Sequence, residues 1–282
     1  MRFLLLLALL PLASYGQGTE HLQRGYLTQP ELQAEIAPSD HSYVYLGVGG
    51  VRYSDYNNLV VDRSLGLDTR YLVAGYEQQF NNGPWSWGAT ARLANAVGGR
   101  TVLQPGLLLR HRSALGPLTF GQRLAVEYAL ADGLRLNPAY ELLPVYYAAS
   151  PTLVRLRLDL QPQNAIALGE GEGVRLTPRL SFEPALFLRL QKAAGDSDKR
   201  TIDFTSLRGE LGFYFASAWL DVTPWFAFQT SYLRTLVQTD QYGNPTSNGK
   251  LNVRLPTVGL ELRYTLSHQT EAAKRFKLPT QH

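Results

Sequence analysis

The chain has 282 residues, a formal net charge of +4 and no cysteine. The missing cysteine excludes a disulfide framework, a lipid-modified N-terminal cysteine and a thiolate metal site, so rigidity has to come from backbone pairing. A positive surplus this small over this length does not point to nucleic acid.

Met1-Arg2 precedes an apolar run from 3 to 13, and Ser14 and Gly16 are small at the positions a signal peptidase reads. These features predict a secretory signal over 1–16, cleaved before Gln17. The run is too short to span a bilayer, and no later stretch reaches the ~18 apolar residues of a membrane helix. No linker or charge block divides the rest, so 17–282 reads as one domain, with a core over about 43–266 and a polar tail over 267–282.

Period two dominates from there on. Ten stretches read as strands: 43–53, 71–80, 85–97, 102–112, 118–130, 152–161, 174–190, 202–215, 219–234 and 251–266. In "WSWGATARL", Trp85, Trp87, Ala89, Ala91 and Leu93 share one face, and Ser86, Gly88, Thr90 and Arg92 the other. The "NNGP" before it predicts a tight hairpin, with positive φ at Asn82-Gly83. A strand over 25–36 and another within 131–150, the latter weakened by Pro144, would raise the count to twelve.

Many of these runs exceed the ~5–6 residues of a globular strand and reach the ~9–11 of a tilted membrane strand. A sheet that crosses hydrocarbon has to close, because an open edge would leave backbone groups unsatisfied. The fold predicted is all-β, a transmembrane up-and-down antiparallel β-barrel of ten to twelve strands. Tyr43, Tyr45, Trp85, Trp87, Tyr128, Trp225, Phe226, Phe228 and Tyr232 are assigned to the apolar faces, as interfacial girdles. A secreted soluble sandwich or barrel, with its apolar faces meeting inside, is the rival architecture.

The last stretch, "TVGLELRY" (257–264), places Thr257, Gly259, Leu262 and Tyr264 at alternate positions. It resembles the C-terminal assembly signal of Gram-negative outer-membrane β-barrels. The resemblance implies an outer-membrane location, lipid as the surrounding partner, recognition by the barrel-assembly machinery, and closure of the last strand against the first. Members of that family usually end on the aromatic strand, whereas here "SHQTEAAKRFKLPTQH" continues. By the same resemblance the long segment 236–250 is external and the short link 216–218 periplasmic.

Alternation sends Arg92, Arg123, Glu127, Arg175, Arg179, Glu183, Arg208, Glu210, Glu261 and Arg263 to the lumen. They read either as an ion-paired filling of a narrow barrel or as the lining of a passage for a small polar or anionic solute. The favoured reading is non-enzymatic. "GEGEG" (169–173) lacks the Lys-Ser/Thr of a phosphate loop, and "DSD" (196–198) has too few carboxylates for calcium, so neither cofactor nor metal is expected. One enzymatic alternative stands: His111 and Ser113 in "RHRSALG" resemble the His-x-Ser element of outer-membrane lipid A deacylases.

Overall fold

The computed structural model describes residues 19–23, 25–39, 41–54, 66–80, 83–96, 100–131, 152–169, 173–188, 202–234, 238–239, 245–247 and 250–266. The predicted signal, the tail and most of 131–150 lie outside the described residues. Eleven long strands carry the fold: β1 (Leu27–Ser39), β2 (Ser42–Tyr53), β3 (Thr69–Gln79), β4 (Trp85–Ala96), β5 (Arg100–Leu115) and β6 (Leu118–Tyr128), followed by β7 (Thr152–Pro162), β8 (Val174–Phe187), β9 (Phe204–Phe215), β10 (Leu220–Arg234) and β11 (Lys250–Thr265).

Each strand pairs antiparallel with the next, from β1–β2 through β10–β11. β11 then returns to β1, with Thr257 opposite Leu27 and Thr265 opposite Glu35, so the sheet closes on itself. This last pairing is parallel. The strand count falls between the even alternatives of ten and twelve, because 27–39 joins the ten evident strands while Leu130–Ala131 only prolongs β6 against β5. An odd number of alternating strands brings the first and last together pointing the same way. A short strand, Thr19–Gln23, lies parallel beside Lys250–Arg254, so the N-terminal side covers nearly the whole free edge of β11.

The hairpin between β3 and β4 forms where "NNGP" predicts it, but Gly83 does not take a positive φ, and Asn82 is outside the described residues. Positive φ occurs instead at Gly116 (58°), whose Gly-Pro turn joins β5 to β6. The links on this end of the barrel are 40–41, 80–84, 116–117, 163–173 and 216–219, and the opposite end carries 54–68, 97–99, 129–151, 188–203 and 235–249. Apart from 163–173 at the first end and 97–99 at the second, the two ends differ as short turns differ from long connections.

Burial is inverted relative to a soluble domain. Arg110, Arg157, Glu77 and Glu261 are among the most completely buried side chains, while Leu32, Val48, Leu107, Leu180 and Phe228 are exposed. Among the described residues the contiguous buried apolar cluster consists of Tyr43, Tyr45 and Val73.

Candidate functional site: the barrel lumen

β2 shows how alternation sorts the two faces: Val44, Leu46 and Val48 point out, and Tyr43, Tyr45 and Gly47 point in. On β11, Val258, Leu260 and Tyr264 are exposed outside while Thr257, Glu261 and Arg263 are buried inside. Every predicted lumen residue is described and lies on the inward face. Arg123, Glu183, Arg208, Glu210, Glu261 and Arg263 are fully buried, whereas Arg92, Glu127, Arg175 and Arg179 are partly so.

Ion pairs concentrate toward the short-turn end. Glu210 accepts Arg157 Nη2 at 2.9 Å and Arg179 Nη1 at 2.7 Å, with Arg208 Nε 2.8 Å away. Arg157 also meets Asp159 at 2.7 Å, and Arg179 Nε donates to Gln161. Glu261 takes Arg263 at 2.8 Å. Across the lumen, Glu77 receives the Tyr43 hydroxyl at 2.8 Å and the Ser86 hydroxyl at 2.6 Å, with Arg110 at 3.4 Å. A second set stands higher: Glu183 holds Arg123 at 2.9 Å and Arg155 at 3.0 Å, and Arg155 reaches Glu127 at 3.3 Å. Buried charge is retained here because the carboxylates face fixed donors, two or more of them at Glu210, Glu77 and Glu183.

Three aromatics also stand in the lumen, each over a glycine on the neighbouring strand. Tyr45 lies directly opposite Gly75, Tyr71 opposite Gly49, and Trp225 opposite Gly259, and in each case a Cβ on the glycine would strike the ring. This corrects the expected girdle: Tyr43, Tyr45 and Trp225 face inward, while Trp85, Trp87, Tyr128, Phe226 and Phe228 point out. The outward faces of their strands are already filled by Val44 and Leu46, or by Phe226 and Phe228. The inner rings meet polar partners: Tyr43 donates to Glu77, and the Tyr71 hydroxyl to Glu31 at 2.6 Å.

Beside these rings the lumen holds a cavity of about 210 Å³. Among the described residues its wall includes Tyr45, Tyr71 and Trp225, the five arginines Arg92, Arg123, Arg155, Arg157 and Arg208, and two carboxylates, Glu127 and Glu183. The guanidinium carbon of Arg92 lies over the Tyr71 ring at 4.0 Å and that of Arg208 over Trp225 at 3.8 Å. On the strands that carry both, the cavity residue lies nearer the long-connection end than the lower ion-paired one: Tyr71 against Glu77 on β3, Arg208 against Glu210 on β9.

Sequence reasoning missed Glu31, Glu77, Arg110, Arg155, Arg157 and Asp159 as lumen residues. "RLRLD" (155–159) carries the same alternation as the other inward-facing charged stretches, which is the signal that marks Arg155, Arg157 and Asp159. Glu77 is an isolated acid on an otherwise uncharged inner face, and Glu31 shares its face with Glu35 but with no cation, so only the register brings donors to them.

His111 and Ser113 lie on the outward face of β5, the His111 ring 4.4 Å from that of Trp85. His111 stands opposite Gln122, and Glu127 points into the lumen, so that acid cannot orient the imidazole. No protein-family model matches the chain, and a comparison with curated proteins finds no match.

Proposed function

We propose that the chain is a non-enzymatic β-barrel of the Gram-negative outer membrane, with its lumen blocked near the short-turn end by an ion-paired filling. The observation that carries this reading is the inversion of burial on a closed barrel. Leu32, Leu46, Leu107, Leu180, Leu211 and Phe228 would leave a soluble protein with an apolar belt far beyond what monomers normally expose. Strands of 11 to 16 residues suit a tilted crossing of the bilayer, for which about 9–11 suffice. Barrels of about eight strands fill with side chains and those of 16 leave a channel. Eleven strands sit between, and here the Glu210, Glu261 and Glu77 clusters occupy one part of the interior.

The long connections would then face outward and the short turns the periplasm, as the asymmetry of such barrels requires. The arginine-rich cavity favours a second reading, a narrow passage for a small anion. One measurement separates the two. The purified protein, confirmed as inserted into a planar bilayer, should show no steady conductance. Steady openings whose selectivity changes with Arg179→Ala would reject the filled lumen in favour of the passage. Recovery of the folded protein from the periplasm or medium without detergent would reject the membrane reading altogether.

A further inference from the structure

We propose that the lumen cavity is a binding site for a small organic carboxylate, gripped between Arg92 and Arg208. The two arginines stand on opposite walls: Arg92 is on β4 and Arg208 on β9, five strands away in one direction round the barrel and six in the other. Each guanidinium carbon is held over an aromatic ring, at 4.0 Å from the Tyr71 centroid and 3.8 Å from that of Trp225. Stacking engages the π face and leaves the in-plane N–H edge directed sideways, which is the edge that recognises a carboxylate.

Those edges have donors to spare. Arg92 Nε and Arg208 Nη2 are buried without a hydrogen-bond acceptor; Arg208 Nη2 has Glu261 only at 3.9 Å, beyond hydrogen-bond reach, and although Arg208 Nε stands 2.8 Å from Glu210, that contact is not aligned as a hydrogen bond. Arg92 makes no ion pair among the described residues. The other three arginines of the wall donate to carboxylates: Arg123 to Glu183, Arg155 to Glu183 and Glu127, and Arg157 to Asp159 and Glu210. An incoming anion would also offset the wall's local excess of five arginines over two carboxylates.

The remaining lining selects an organic anion over a bare ion. Tyr45, Val73, Leu108 and Phe204 supply apolar surface, and the volume of about 210 Å³ exceeds the roughly 150 Å³ cavity that accepts benzene. The inference needs only the closed lumen, so the bilayer outcome above does not bear on it.

The test is calorimetric titration of the full chain, folded in detergent, with sodium benzoate, its neutral isostere benzamide, and inorganic phosphate. Saturable benzoate binding is expected, weakened at least ~tenfold in both Arg92→Gln and Arg208→Gln, the scale of one lost charge-assisted contact. Benzamide and phosphate should bind at least tenfold more weakly than benzoate. Heat-dependent gel mobility verifies folding of each variant. Arg92→Gln breaks no ion pair among the described residues, so it remains informative if Arg208→Gln misfolds. No benzoate binding by the folded wild type, unchanged affinity in Arg92→Gln, or equal binding of benzamide would overturn the proposal. Phosphate binding as tightly as benzoate would overturn it in favour of an inorganic-anion site.

Discussion

Glu210 is the point on which the buried charge of the lumen turns, because one carboxylate with a fully buried side chain lies within 2.9 Å of three arginines. Arginine serves here where lysine would not: a planar fork can meet a carboxylate with one edge and a ring or amide with another, as Arg179 does with Glu210 and Gln161. Removing the shared acceptor strands several cations at once. Glu210→Gln should therefore destabilise the folded barrel by about 3–5 kcal/mol, the range for breaking a buried pair. Arg179→Ala should cost less than half of that, since Glu210 keeps Arg157 and Arg208. Urea unfolding of both variants in detergent measures the difference, and equal losses would mean that Asp159 and Glu261 redistribute the charge.

Gly259 shows how two adjacent strands fix each other. This glycine, within the stretch that resembles an assembly signal, faces inward directly opposite Trp225, whose ring occupies the space a side chain would take. Gly259→Val should lower the yield of folded, heat-modifiable barrel even in detergent refolding without any assembly machinery, and adding Trp225→Ala should restore part of it. A defect seen only in cells would assign the glycine to recognition instead. This pair also marks what could be read in advance. Period two located ten strands and set the faces of β4 and β11 correctly, because side-chain direction follows from the pleat alone. Alternation also opposes Trp225 to Phe226 and Phe228, but the room that Tyr45 and Trp225 find in the lumen could not be read in advance, since it depends on a glycine supplied by another strand. β1 was marginal for a related reason: Glu31, Gln33 and Glu35 make its inner face polar, and Pro30 interrupts its outer one, so only closure against β11 identifies it as a full member.

At the scale of the whole molecule, parity decides the direction of closure. Ten alternating strands from β2 to β11 would end antiparallel, and it is the added β1 that makes the seam parallel, with Leu32 opposite Leu262 and Ala34 opposite Tyr264. If β1 and β11 ran antiparallel about the same Leu32–Leu262 centre, Ala34 would instead face Leu260. These positions all point outward, and the chain has no cysteine of its own to confuse the result. Ala34→Cys combined with Tyr264→Cys should therefore form a disulfide on mild oxidation, since register partners lie within the ~4.4–6.8 Å Cα separation a disulfide tolerates. Ala34→Cys combined with Leu260→Cys should not, because four residues along a strand adds roughly 13 Å. Non-reducing gel mobility, with mass spectrometry of the linked peptides, reads the outcome. Reversal of the two results would replace the parallel seam by an antiparallel one. Failure of both pairs to link would detach β1 from the wall and leave β2 and β11 as the edges the barrel has to join.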